Sequence, residues 1–190
     1  MLIGDMNIVR DLVERGHAYV NAQCNSGETA LHMASFHGHQ EVVRYLVEQC
    51  GADAKIRDRT GKTALTCSIS SNKLEILRFL VEQGSADVNA MSNEGNTALH
   101  WACHYCCLDI AEYLVEQCHA DVNSINCRSE TPLHKASTHG NLKLVRLLVE
   151  QGSADCSFRN GSCGSTALHA AAVRQHVPVM LYLVERRVIQ

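Results

Sequence analysis

The chain has 190 residues, 46% of them hydrophobic and 19% charged, with a formal net charge of −3. That length can bury a substantial core, and the small negative charge argues against general binding to nucleic acid or to an anionic membrane. No apolar run approaches the ~18 residues of a membrane span, and the opening MLIGDMNIVRDLVERG puts Asp5, Arg10 and Asp11 where a secretory signal needs its apolar region.

In chain order, GDMNIVRDLVERGHAYVNAQCNSG, from Gly4 onward, reads as the second half of a unit plus its connector, so the chain is expected to begin inside a repeat. The first full unit, TALHMASFHGHQEVVRYLVEQ, starts at Thr29. TALTCSISSNKLEILRFLVEQ follows at Thr63, TALHWACHYCCLDIAEYLVEQ at Thr97, TPLHKASTHGNLKLVRLLVEQ at Thr131 and TALHAAAVRQHVPVMLYLVER at Thr166. The starts are 34, 34, 34 and 35 residues apart, so one residue is inserted within SFRNGSCGS. A fixed period of this size is the signature of a stacked-repeat protein.

Each unit reads alike. A threonine caps a first helix, taking up an otherwise orphan N–H. Gly38 or Gly140 ends that helix in the left-handed region. A second helix then carries an apolar stripe such as Val42, Val43 and Leu46, or Ile110, Ala111 and Leu114. A polar connector such as ADVNAMSNEGN turns out of the stack. Asn72 suits the left-handed slot, whereas Cys106 and Gln175 there predict strain or an altered helix end.

The T-[AP]-L-H motif, the HG after it, the closing LVEQ, and the GADA, SADVNA and HADVNS lead-ins resemble the ankyrin-repeat family over essentially the whole chain. The resemblance implies an all-α ankyrin-repeat solenoid of stacked antiparallel helix pairs with projecting β-hairpin loops. It implies one domain over 1–190, with a half-repeat and connector over 1–28 and repeats beginning near 29, 63, 97, 131 and 166. It also implies that the motif histidines bond within their units. The second repeat has Thr66 in place of that histidine, so its first helix is expected to be the least well tied. The family period is 33, and the extra residue here follows the second helix, at Cys50-Gly51, Gly84-Ser85, Cys118-His119 and Gly152-Ser153.

Ten cysteines in 190 residues fall below the roughly 8–10% that marks a disulfide scaffold. A reducing compartment, cytosol or nucleus, is expected, with the thiols mostly free. Cys103, Cys106 and Cys107 beside His100 and His104 invite a metal-site reading. All lie on one short stretch of helix without a second pair at zinc-ligand spacing, and Cys103 reads as a small core residue. No metal or cofactor site is expected. The nucleotide-binding, metalloprotease and hydrolase motifs are absent too, which points away from catalysis and from a small-molecule substrate.

In the family, ligands are usually held on a concave face of connector tips and first helices. Carried over by frame, this implies partner binding by Phe36, Arg57, Arg59, Met91, Trp101, His104, Tyr105, Ile125, Arg128, Lys135 and His139. Binding energy concentrates in Trp, Tyr and Arg, so an aromatic patch next to a basic tip suits a partner with an apolar anchor and acidic neighbours. A purely supporting role for Trp101 is the competing reading. The implied function is a non-catalytic protein–protein interaction scaffold, expected to be monomeric, with no nucleic-acid or membrane partner. The alternative is a targeting or regulatory domain of a larger enzyme, channel or effector whose active part lies outside these residues.

Overall fold

A computed structural model describes residues 19–161 and 163–188. The half-repeat read at the start falls mostly outside them. Every regular element among the described residues is helical, and the helices come in pairs. They are α1 Ala30–His37 with α2 Gln40–Glu48, α3 Ala64–Ser70 with α4 Leu74–Glu82, and α5 Ala98–His104 with α6 Leu108–Glu116. Then come α7 Pro132–Thr138 with α8 Leu142–Arg146, and α9 Ala167–Val173 with α10 Val177–Val188. Helix α8 runs on into a wider turn over Leu147–Gln151. The chain divides into two compact units, Met1–Asp87 and Val88–Gln190.

Each first helix opens at a threonine in extended backbone, and the motif residue three places on closes the cap. The Nδ1 atoms of His32, His100, His134 and His169 accept the threonine N–H at 3.1, 3.2, 3.3 and 3.2 Å. An accepting Nδ1 leaves the ring hydrogen on Nε2. That nitrogen lies 3.2 Å from Lys62 O in His32, 2.9 Å from Glu130 O in His100 and 3.1 Å from Ser165 O in His134. One neutral imidazole thus ties its own helix start and the following connector, a longer reach than the resemblance implies. Thr66 still makes a cap: its Oγ1 accepts the Thr63 N–H at 2.7 Å and donates back to Thr63 O at 2.9 Å. Helix α3 is therefore capped at its start but lacks the tie to the following connector, as its missing histidine leads one to expect. What a threonine lacks is the second ring nitrogen.

The left-handed slot after each first helix has φ of 79° at Gly38, 54° at Asn72, 58° at Cys106, 70° at Gly140 and 58° at Gln175. Cys106 and Gln175 therefore keep the helix end and carry the strain in the backbone. Cys106→Gly is expected to stabilise the chain by about 0.5–1 kcal/mol in urea unfolding. Relief of about 1–2 kcal/mol of left-handed strain is partly offset by about 0.5–1 kcal/mol of glycine entropy. A destabilised variant would mean that the thiol packs more than its exposure suggests.

The extra residue of the 34-residue period has a structural role. Gly51, Ser85, His119 and Ser153 all have positive φ. They let the next alanine N–H return to the carbonyl of Leu46, Leu80, Leu114 or Leu148, at 2.9, 3.0, 2.9 and 2.9 Å. These leucines are buried core residues, so the turn is anchored where it cannot shift.

The connectors project as tight tips, and no strand forms among the described residues. Each tip is closed by a backbone bond across four residues, Cys24 N–H to Glu28 O, Asp58 to Lys62, Ser92 to Asn96, and Asn126 to Glu130, at 2.9, 2.8, 2.9 and 3.1 Å, and by a return bond to Cys24, Asp58, Ser92 or Asn126 O from the N–H three places on. The fifth tip spans five, Asn160 N–H to Ser165 O at 2.9 Å, which locates the inserted residue. The expected β-hairpins are thus tight turns, too short for a ladder. Neighbouring connectors are linked by asparagines: Asn21, Asn89 and Asn123 Oδ1 accept the N–H of Asp53, Asp121 and Asp155 at 2.9, 3.2 and 2.9 Å. The second repeat carries Lys55 in that slot. It therefore lacks both linking side chains.

Candidate protein-binding site

In the second unit, the tip-facing side of α5 and α7 gathers most of the residues expected to bind. Trp101, Tyr105 and His104 project from the last turns of α5 because they are one, three and four positions apart. The Trp101 and Tyr105 rings stack at 5.9 Å between centroids and 19° between planes. His104 sets its edge against both, at 5.9 and 4.9 Å. His139, from the end of α7, lies 4.9 Å from the His104 ring, with its Nε2 3.1 Å from His104 Nδ1. The aromatic run therefore crosses from the third repeat to the fourth.

Beside it lies a depression of about 220 Å³ lined by Glu94, Asn96, His100, Trp101, His104, Arg128 and Lys135. Arg128 is exposed, whereas Lys135 is clamped to Glu130 at 2.6 Å. Asn126 braces this pair, its Nδ2 donating to Glu130 at 3.2 Å and to Asn96 Oδ1 at 2.9 Å. Burial pushes the Glu130 carboxyl up, but the hydrogen bonds from Lys135 and Asn126 outweigh it and leave the group below its ordinary range. Met91 and Ile125 sit exposed on successive tips in one frame slot. A matching groove one repeat on, of about 240 Å³, runs past His134, Thr138, His169 and Arg174 and has no tryptophan.

The histidines divide by burial. His100 is pushed down to about 4 by burial, against the bond to the Glu130 carbonyl that favours its charged form. His134 is lowered for the same reason. His139 is lowered first by burial and then by the positive surroundings of His104, Lys135, Arg174 and His176. His176 is a neighbour that sequence reasoning passed over. Its Nε2 meets Thr138 O at 3.0 Å, and nothing in its repeat slot signals that contact.

In the first unit, Phe36 is exposed at the end of α1, its ring edge-on to His37 at 5.2 Å. Arg57 and Arg59 are exposed on the following tip. Arg57 bends back, Nε donating to Gly61 O at 3.2 Å, and the Arg59 N–H joins the preceding tip at Ser26 O, 3.0 Å. The basic group nearest the aromatic run within its own unit is therefore Arg128 with Lys135.

Cys103 is buried and Cys106 is exposed. Burial pushes the Cys103 and Cys107 thiols up, and the neighbouring cysteines add to it. Cys67 is pushed up to about 12, chiefly by burial. A thiol held protonated is a poor ligand and nucleophile. Cys103 shares its buried slot with Ser35, Ile69 and Ser137, so the slot is a core position. Among the described residues no cluster of three or more metal-ligating side chains forms, and no helix is long and apolar enough to cross a membrane.

The family model described as ankyrin repeats (3 copies) matches residues 2–58, 49–126 and 118–189. The chain belongs to the ankyrin-repeat family. No curated protein matches it. Ankyrin repeats are in general protein–protein interaction modules, and in this ankyrin-repeat chain the aromatic run exposes His104 and Tyr105 while Trp101 is half-buried, its indole nitrogen inside.

Proposed function

We infer that this ankyrin-repeat chain is a non-catalytic module that holds a protein or peptide on the tip and first-helix side of its second unit. Trp101, His104, Tyr105, Arg128, Lys135 and His139 carry the contact, with Met91 and Ile125 at its margin. The observation that carries the reading is the aromatic run across two successive repeats beside the exposed Arg128. Such a surface seats an apolar anchor, and the cations beside it favour acidic neighbours. The depression is smaller than the ~300–1,000 Å³ usual for small-molecule sites, and its lining has no serine, threonine or cysteine nucleophile. Phe36, Arg57 and Arg59 form a separate candidate patch on the first unit. A reducing compartment, cytosol or nucleus, suits the ten cysteines. The alternative, a targeting or regulatory domain of a larger enzyme, channel or effector, uses the same surface.

The test is affinity capture with the full chain, followed by calorimetric titration of the captured partner into wild type and variants, with the emission of Trp101, the only tryptophan, followed in the wild type. Binding is expected to shift its emission. Arg128→Glu is expected to weaken affinity about tenfold and Trp101→Ala about thirtyfold, with both folds checked by circular dichroism. A partner that binds both variants as tightly as the wild type places the interface elsewhere and overturns the reading.

A further inference from the structure

The fifth connector departs from the others at its tip. Asn160 fills the slot of Cys24, Asp58, Ser92 and Asn126, and Gly161 follows it as the one Asn-Gly pair of the chain. Asn160 Oδ1 accepts the Ser165 N–H at 3.0 Å, and the Cys163 N–H and thiol at 3.4 Å each. These donors draw the carboxamide forward along the chain. In the slot after Asp58 and Asn126, the Arg59 and Cys127 N–H groups donate to the preceding tip, at Ser26 O and Glu94 O, 3.0 and 2.9 Å away. The Gly161 N–H makes no such bond among the described residues. Gly161 is also exposed and has no Cβ to crowd its own nitrogen. A backbone nitrogen that is not engaged as a donor is free to lose its proton and attack. Donors already on Oδ1 stabilise the charge that develops there.

We propose that Asn160–Gly161 is a self-modification site, at which the Gly161 nitrogen displaces ammonia from the Asn160 carboxamide. The bond from Gly161 N to Asn160 Cγ forms, the Cγ–Nδ2 bond breaks, and the Gly161 proton leaves with the amino group as ammonia. Water then opens the five-membered imide at either carbonyl, giving aspartate or isoaspartate as a carboxylate with release of a proton. Asparagine is among the thermally labile residues, and water is the only co-reactant. The aspartate product suits the slot, because Asp58 there accepts from the Thr60 N–H, the Thr60 hydroxyl and the Lys62 N–H at 2.8 Å each. The tip therefore stays closed while its charge changes. Asn160 lines the groove past His134, His169 and Arg174, so the new carboxylate offsets Arg174 there. Asn126 keeps its amide, since the Cys127 N–H that would attack it is held by Glu94 O. Nothing in this chemistry depends on the binding surface of α5 and α7.

Peptide mapping by mass spectrometry tests this on the full chain, kept for weeks in reducing buffer at neutral pH and physiological temperature. Asn160 is expected to convert to an aspartate and isoaspartate mixture while Asn126 stays intact. Gly161→Ala is expected to slow the conversion at least about tenfold, and Asn160→Gln to abolish it, because the longer side chain must close a larger ring. A Cβ at Gly161 meets Ser129 Oγ at 2.7 Å, so a second comparison uses the wild type alone. Its folded rate is expected to lie within about tenfold of the rate in guanidinium chloride. An Asn160 that keeps its amide in the folded chain, a folded rate more than about tenfold below the unfolded one, or a folded Gly161→Ala variant that converts as fast as the wild type each overturns the proposal.

Discussion

Replacing His100 with alanine is expected to lower the unfolding free energy by about 3–5 kcal/mol. The change leaves the buried Thr97 N–H and the Glu130 carbonyl without the ring nitrogens that meet them at 3.2 and 2.9 Å. Each such loss costs about 1–3 kcal/mol, and the missing ring adds a cavity. His100→Thr is the informative comparison, because Thr66 shows that a threonine keeps the cap through Oγ1. It should lose the outer bond and part of the ring's packing, about 2–3 kcal/mol. Urea unfolding of the two variants measures the difference. Equal losses would mean that the cap contributes nothing and that the bond to Glu130 and the lost ring account for the whole effect.

Acidification is expected to destabilise the chain between about pH 6.5 and 4. Folding pushes His100 down to about 4, chiefly through burial, while an unfolded histidine titrates near 6.5. In that window the unfolded chain binds more protons than the folded one, so stability is complete above about 6.5 and falls with pH until about 4. The gap corresponds to about 3 kcal/mol for His100, and His134 acts in the same direction. Glu130 is lowered instead, so its contribution is complete above its unfolded value and is lost only in more acidic solution. Urea midpoints at pH 7 and pH 4.5 test this, and His100→Thr should flatten the dependence. A wild-type midpoint unchanged over that interval would mean that the buried ring is more open to water than its surroundings indicate.

The two predictions share a cause. A neutral imidazole whose Nδ1 accepts and whose Nε2 donates does the work of two side chains, and burial keeps it neutral. The Asn21, Asn89 and Asn123 bonds between connectors are its polar counterpart at the other end of the unit. The second repeat, with Thr66 and Lys55, has neither residue.

Much of the fold was legible because its determinants are local. The period places the helices, Thr29 and its counterparts start them, and the slot of Gly38 and Gly140 ends them. The positive φ at Asn72, Cys106 and Gln175 follows from the same slot, since the turn is set by backbone geometry within a few residues. The buried place of Cys103 also follows from its frame.

Contacts thirty or more residues apart were not legible in this way. The repeat period alone shows a stack of ankyrin repeats, which positions face the core, and which side chains the packing does not use. Tertiary structure decided how those side chains combine. It brought His139 onto His104 across two repeats and set Arg128 and a clamped Lys135 beside Trp101. It also left the Gly161 N–H without the bond to a preceding tip that Arg59 and Cys127 make. Periodicity reports only which slot a residue fills. Whether its amide meets a neighbour depends on what packs there, which is a property of the assembled stack.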